Sequence, residues 1–223
     1  MKRLIIYDLD GTLVDTLEDI TAAANHMLDV LGAPAVAAQD IRRAVGRGVE
    51  ELVARCLGTE DPARIEQGVA VYRTHYAQHL ADHSRLYPGA RALLDYFTPP
   101  RAGGTGCRQA VVTNKPNPFS RDLLAALGIE GYFVAIVAGD AEYPRKPDPS
   151  AVQALMQRAS AAPEETVVIG DSPVDVEAGR RAGVFTVGMR HGFADEDELA
   201  AASPGALVGS FPELLALAKR LGW

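Results

Sequence analysis

The chain has 223 residues, 48% apolar and 23% charged, the balance of an ordinary soluble globular protein with one large domain or a core plus a smaller unit. Its 29 acids against 22 bases leave a net charge of −7, which argues against a general nucleic-acid binder. Two cysteines, Cys56 and Cys107, without C-x-x-C spacing exclude a disulfide framework or a zinc site, no apolar run suits a membrane, and the expected home is the reducing cytoplasm.

Leu4, Ile5, Ile6 and Tyr7 form a short apolar run stopped at Asp8-Leu9-Asp10-Gly11, which predicts a buried strand. The basic and apolar start imitates a secretion signal for a few residues, until Asp8 breaks it. Leu17, Ile20, Ala24, Leu28 and Leu31 then make a helical stripe with Gly32 placed to end it. Val49, Leu52, Val53, Cys56 and Leu57 repeat the pattern up to Gly58. Ile65, Val69, Tyr72, Tyr76 and Leu80 repeat it again after Asp61-Pro62, a good helix start. From about 16 to 84 the pattern is helical and holds no convincing strand.

The character changes at Tyr87-Pro88-Gly89. A helix through Leu93, Leu94 and Phe97 precedes the stretch Pro99–Gly106, a loop by composition with no function assigned to it. Ala110–Val112 is a strand ending in Thr113-Asn114-Lys115-Pro116, followed by a helix through Leu123, Leu124 and Leu127. Phe133–Val137 is a strand, and Lys146-Pro147-Asp148-Pro149 opens a helix through Val152, Leu155 and Met156. Val167–Ile169 is a strand ending in Gly170-Asp171-Ser172-Pro173-Val174-Asp175, with a helix running on to Gly183. Phe185–Val187 and Ala206–Val208 are shorter strands, and a helix through Leu214, Leu215, Leu217 and Leu221 closes the chain. Strands alternating with helices predict an α/β fold, an open parallel sheet covered on both faces. Ligands of such sheets bind outside the carboxyl ends of the strands. Asp8, Asp10, Thr113, Lys146 and Asp171 all sit at or just beyond predicted strand ends.

Two carboxylates one residue apart, at the end of a buried strand, repel each other unless something offsets the repulsion. Mg²⁺, which takes carboxylate, water and phosphate oxygens, is the expected cofactor. Asp8 is the candidate nucleophile toward a phosphoryl group. The negative charge of a loose transition state needs fixed stabilisers. Lys146 supplies one, and the Thr113 hydroxyl with the N–H groups that follow supplies others. Asp171 completes the metal site with Asp8 and the backbone carbonyl of Asp10, while Asp175 either holds a metal-bound water or orients Lys146. Asp10 is the candidate acid and base, protonating the leaving alkoxide and then taking a proton from the attacking water. Gly46-Arg47-Gly48 falls between two predicted helices, where glycines let a loop reach over the core. Arg47 there either pairs with a substrate carboxylate or is solvated. Gly48, Asn114 and Lys115 are assigned with Arg47 to substrate binding.

Asp8-Leu-Asp10-Gly-Thr12-Leu-Val-Asp15, Thr113-Asn114-Lys115, Arg145-Lys146-Pro-Asp-Pro and Gly170-Asp171-Ser-x-x-Asp175 with Ala182-Gly183 together resemble the haloacid dehalogenase superfamily. The resemblance covers nearly the whole chain. It implies a Rossmann-like core at 1–15 and 85–223, a helical cap at 16–84, Mg²⁺ dependence and an aspartyl-phosphate intermediate. Dehalogenases of that superfamily lack the acid at the position of Asp10, so Asp10 points to a phosphatase or a phosphomutase. Val112–Pro116 and Val45–Gly48 are similar to the phosphoglycolate phosphatase branch, although Arg47 stands where that branch often has Asn between the glycines. The expected reaction is hydrolysis of a small phosphate monoester, such as 2-phosphoglycolate, by a monomer or small homo-oligomer. A phosphosugar mutase, a non-catalytic phospho-acceptor of the response-regulator type and a degenerate, structural member of the fold remain as alternatives. The acceptor type normally carries its phosphorylated Asp on a later strand and lacks a helical insert. The intact set of polar residues counts against the degenerate form.

Overall fold

The computed structural model describes residues 2–98 and 106–223. Apart from Gly106, the stretch expected to be a loop at 99–106 lies outside the described residues. Six strands form one parallel sheet: β1 (Leu4–Tyr7), β4 (Arg108–Val112), β5 (Ala135–Val137), β6 (Thr166–Gly170), β7 (Phe185–Met189) and β8 (Ala206–Val208). Their order is β5-β4-β1-β6-β7-β8. β1 is therefore central, with Leu4 to Tyr7 in register against Arg108 to Val111 on one side and Thr166 to Ile169 on the other.

The continuous apolar run of β1 follows from that position. Ile5 and Tyr7 point into one buried cluster, with Leu93 and Phe97 of α5 (Ala90–Phe97), Leu123 of α6 (Phe119–Ala126) and Phe211 of α10 (Phe211–Leu221). Leu4 and Ile6 point into the opposite cluster, with Val152 and Leu155 of α7 (Ser150–Ala159). A strand buried on both faces has no polar side to alternate with. From β1 the chain winds outward in one direction through β4 and β5, then in the other through β6, β7 and β8. The order thus reverses at β1, and the crevice at its carboxyl end is where such sheets take ligands. Asp8, Thr113 and Asp171 each follow directly on the last residue of β1, β4 and β6.

Four helices lie between β1 and α5: α1 (Leu17–Val30), α2 (Ala38–Ala44), α3 (Val49–Leu57) and α4 (Pro62–His79). The three longer ones match the apolar stripes of the sequence. The short α2 was not anticipated, because Ile41 is its only large apolar residue. Two very short strands, β2 (Val14–Asp15) and β3 (Arg85–Leu86), pair antiparallel at the two ends of this helical stretch. The second end is pinned further by Asp19 of α1. This buried carboxylate accepts from the N–H groups of His83 and Ser84 and from the Ser84 hydroxyl at 2.6 Å.

Two further departures from the sequence reading are local. β5 starts at Ala135 instead of Phe133, since a 3₁₀ turn at Glu130–Tyr132 still holds the Phe133 N–H. The short α9 (Glu196–Ala201) has a single buried apolar residue, Leu199, and so leaves no stripe to read. The helix after β6 is α8 (Pro173–Arg181).

Candidate active site

The Asp8 N–H donates to the carbonyl of Ile169 at 2.9 Å, so the β1–β6 ladder continues one residue and fixes the first acid. Lys146 Nζ lies 2.7 Å from Asp8 Oδ1 and 2.6 Å from Asp175 Oδ1. The other oxygen of Asp175 accepts from the Ser172 hydroxyl at 2.5 Å and the Ser172 N–H at 3.1 Å, at the start of α8. Asp175 is thereby locked against Lys146. Both groups of the Lys146 backbone are held by one side chain: Asn114 Oδ1 accepts from the Lys146 N–H at 2.9 Å, and Asn114 Nδ2 donates to its carbonyl at 3.0 Å. The same Nδ2 donates to the carbonyl of Gly46, in the α2–α3 loop, at 2.8 Å. The Asn114 amide is therefore engaged by protein on both its oxygen and its nitrogen. Asn114, assigned to substrate from the sequence, lines the inner cavity while its amide holds the Lys146 backbone.

Asp171 accepts from the Thr12 hydroxyl at 2.7 Å and from the Phe193 N–H at 2.6 Å. Gly11 permits its close approach: φ is +80°, and a Cβ at this position would run into the Asp171 carboxylate. Asp8, Asp171 and Asp175 each offer an oxygen within 4.8 Å of the others. Burial pushes the Asp8 carboxyl up to about 6, with Lys146 pulling it down and Asp175 adding repulsion. Burial, reinforced by Asp175 and Asp8, pushes Asp171 up to about 8. Burial drives the Lys146 ammonium down, but Asp175 and Asp8 outweigh it and hold Lys146 above its ordinary range. Lys146 pairs with Asp8 Oδ1 as a close ion pair, and among the described residues no other group bonds that buried oxygen. Two buried carboxyls side by side, both pushed up by burial and by neighbouring carboxylates, are a donor set suited to a hard divalent cation. Asp8 and Asp171 fit it directly; Asp175 has both oxygens committed to Lys146 and Ser172.

The Asp10 carboxylate stands outside that cluster, leaving only its main chain for the metal role expected of it. Its Oδ1 accepts from the Thr16 hydroxyl at 2.8 Å and from Lys115 Nζ at 2.9 Å. Lys115 Nζ also donates to the hydroxyl of Tyr76, on α4, at 2.7 Å. Both Lys115 and Tyr76 are buried. The structure thus separates the two acids after β1 into two networks, Asp8–Lys146–Asp175 and Asp10–Lys115–Tyr76. Thr113 is buried at the end of β4, where its hydroxyl accepts from the Lys115 N–H at 3.2 Å.

Two cavities meet at these acids. The inner one, about 50 Å³, lies against Asp8, Asp10, Thr113 and Lys115, with Tyr72 and Phe119 among its walls. The outer one, about 550 Å³, is reached by Arg42, Arg43, Arg47 and Arg55 and by Asp171 and Ser172. Arg47 is exposed and lines the outer cavity, not the inner one. Gly48 starts α3 with φ of +102°, and a Cβ on it would strike the Arg145 guanidinium, which pairs with Glu50 at 2.8 Å. Gly48 therefore serves close packing of the loop on the core, in addition to lining the inner cavity.

Several contributors were not picked out from the sequence. Thr12 lay inside the first motif without a role, and Tyr76 passed as one residue of an apolar stripe. Thr16 and Arg42 gave no local signal.

The molecule is a Rossmann-like α/β protein whose chemistry-bearing side chains meet at the switch point of its sheet. It belongs to the haloacid dehalogenase-like hydrolase family, whose model matches residues 5–189. The chain is 35% identical over 221 residues to the phosphoglycolate phosphatase of Pseudomonas putida, covering 96% of this chain and 79% of that one. It is 38% identical to the plasmid-borne phosphoglycolate phosphatase of Cupriavidus necator, over 96% and 91% of the two chains. Its fold is similar to that of a solved protein described as a predicted phosphoglycolate phosphatase from Haemophilus somnus 129PT. The TM-score is 0.89 at 26% identity, with 97% and 98% of the two chains covered.

Proposed function

We propose that the protein is a Mg²⁺-dependent phosphatase of small phosphate monoesters, with 2-phosphoglycolate as its candidate substrate. The observation that carries this reading is the division of labour at the end of β1. Asp8 is buried in an ion pair with Lys146, while Asp10, two residues on, is held apart by Thr16 and Lys115. Nucleophilic attack and proton transfer need two carboxylates in two environments. The names of the relatives favour the same activity.

In this proposal Asp8 attacks phosphorus, forms an aspartyl-phosphate and expels the alkoxide. Lys146 balances the charge on Asp8 and on the equatorial oxygens, and Asp175 keeps it there. Thr113 and the N–H groups after it receive a further phosphoryl oxygen. Asp10 protonates the leaving oxygen, then takes the proton of the water that cleaves the phospho-enzyme. Mg²⁺, held by Asp8, Asp171 and the backbone carbonyl of Asp10, would neutralise phosphoryl charge. The unit at 16–84 acts as a cap over the core at 1–15 and 85–223, with the β2–β3 pair as its hinge, and its closure excludes water.

No described helix is long and apolar enough to cross a membrane. Both cysteines are free, which suits a reducing, cytoplasmic setting.

The test is phosphate release from 2-phosphoglycolate, an alkyl phosphate and an aryl phosphate, with Mg²⁺ and with chelator. Mg²⁺-dependent release, lost in Asp8→Asn, is expected. Losses in Asp10→Asn should be larger for the alkyl ester, whose poorer leaving group needs its proton more. No release from any ester would overturn the reading.

A further inference from the structure

We infer that Lys115, and not Arg47, selects the substrate, by pairing with an anionic group carried on the carbon next to the scissile ester oxygen. The inference rests on the phosphatase reading and names the substrate class of that same site: phosphate esters of very small hydroxy acids.

Among the described residues, Lys115 is the only cation that lines the inner cavity. Its ammonium has three donors. Among the described residues, Tyr76 takes one at 2.7 Å, and the two Asp10 oxygens, at 2.9 and 3.2 Å, share another as a forked pair, which leaves the third to turn to substrate. Tyr76 fixes the ammonium from the helical unit while Asp10 fixes it from the core, so its position is set on both sides of the pocket.

The short distance from Lys115 to Asp10 limits how far the substrate's charge lies from its ester oxygen. Asp10, as the acid, must come within about 2.6–3.2 Å of the leaving oxygen. Lys115 Nζ is 2.9 Å from Asp10 Oδ1. A group bonded to Lys115 while the ester oxygen meets Asp10 therefore lies on the same side of the pocket as that oxygen, within reach of a short substrate. A carboxylate on the adjacent carbon falls within that reach.

The walls narrow the class further. Ile20, Val49, Leu52, Tyr72 and Phe119 line the inner cavity. The several hydroxyls of a sugar would face apolar side chains there, and buried polar groups without partners are costly. This counts against a phosphosugar mutase and favours a compact acid with one charged end.

The experiment measures kcat/KM for 2-phosphoglycolate and for ethyl phosphate, which has the same carbons and no carboxylate, in the wild type and in Lys115→Met. An aryl phosphate is the control for hydrolysis itself. The wild type should prefer 2-phosphoglycolate by about 100-fold or more, the scale on which a buried polar site rejects an analogue lacking its partner. In Lys115→Met both rates fall, because Asp10 loses its partner, but the preference should shrink below about tenfold, with KM for 2-phosphoglycolate rising most. A residue that merely held Asp10 in place would lower both rates together and leave the preference intact, and that result would overturn the inference. A second measurement needs no variant: glycolate should inhibit the wild type competitively, and ethylene glycol should not. Equal inhibition by the two overturns the inference while leaving the phosphatase reading in place. Failure to hydrolyse even the aryl phosphate overturns the phosphatase reading.

Discussion

Arg42 and Asp171 are joined through one residue. Arg42, on α2, donates through Nε to the Phe193 carbonyl at 3.0 Å and through a second nitrogen to the Gly192 carbonyl. The Phe193 N–H in turn holds Asp171 Oδ2 at 2.6 Å. A side chain of the helical unit thus braces the loop that orients a candidate metal ligand. Partners that orient ligands are typically worth about 10–100-fold in metal affinity. Arg42→Met should weaken Mg²⁺ binding by about tenfold, measured by calorimetry on the chelator-stripped protein. An unchanged affinity would reduce Arg42 to a clamp between α2 and the loop after β7.

Asp8→Asn and Lys146→Met should differ sharply in stability although both stop turnover. Asp8→Asn removes a charge that faces Asp175, and Lys146 keeps Asp175 at 2.6 Å. Lys146→Met leaves two buried carboxylates with no cation. Breaking a buried pair from one side costs about 3–5 kcal/mol. Denaturant titration in chelator should therefore show Lys146→Met far less stable than wild type and Asp8→Asn close to it. For Asp8→Asn, turnover within about tenfold of wild type, a barrier change near 1.4 kcal/mol, would refute the nucleophile assignment. Equal stability of the two variants would count against Lys146 balancing the charges of Asp8 and Asp175.

The raised carboxyls link metal and pH. Asp171 titrates near 8 in the fold and at its ordinary value near 3.8 in the unfolded chain. Between those values the native state holds a proton that the unfolded state has lost, so this group's contribution to stability falls as pH rises. Asp8, raised to about 6, adds to the decline over the lower part of that range. Mg²⁺ competes with these protons and binds the ionised oxygens. The gain in Tm from Mg²⁺ over chelator should therefore grow from pH 6 to pH 8.5. Parallel Tm curves with and without Mg²⁺ would refute the linkage.

The strand ends could be read from the sequence because their signals are local. Leu4–Tyr7 is a continuous apolar run, and Asp8-Leu-Asp10-Gly, Thr113-Asn114-Lys115 and Gly170-Asp171 each follow such a run directly. The partners of those residues were not legible, because tertiary packing sets them. Arg42 meets Gly192 and Phe193 across most of the chain, in a helix whose single large apolar residue gives no stripe. Tyr76 carries the same periodic signal whether its hydroxyl meets a lysine or nothing at all. β2 and β3 are two residues each, too short for any alternation to show.

Asn114 makes contacts that its motif does not announce. Its place after Thr113 suggested contact with substrate, whereas its amide is held by the Lys146 backbone and the Gly46 carbonyl. Asn114→Ala should leave the buried N–H and carbonyl of Lys146 unpaired, at a cost of about 1–3 kcal/mol each before relaxation. It should also loosen the lysine and release the α2–α3 loop. Because none of these contacts involves the leaving group, kcat/KM should fall by a similar factor for 2-phosphoglycolate and for ethyl phosphate. Lys115→Met would change the ratio of those two substrates; Asn114→Ala would not. A fall confined to 2-phosphoglycolate would mean that Asn114 turns from Lys146 to the substrate carboxylate during turnover, and the sequence assignment would then stand.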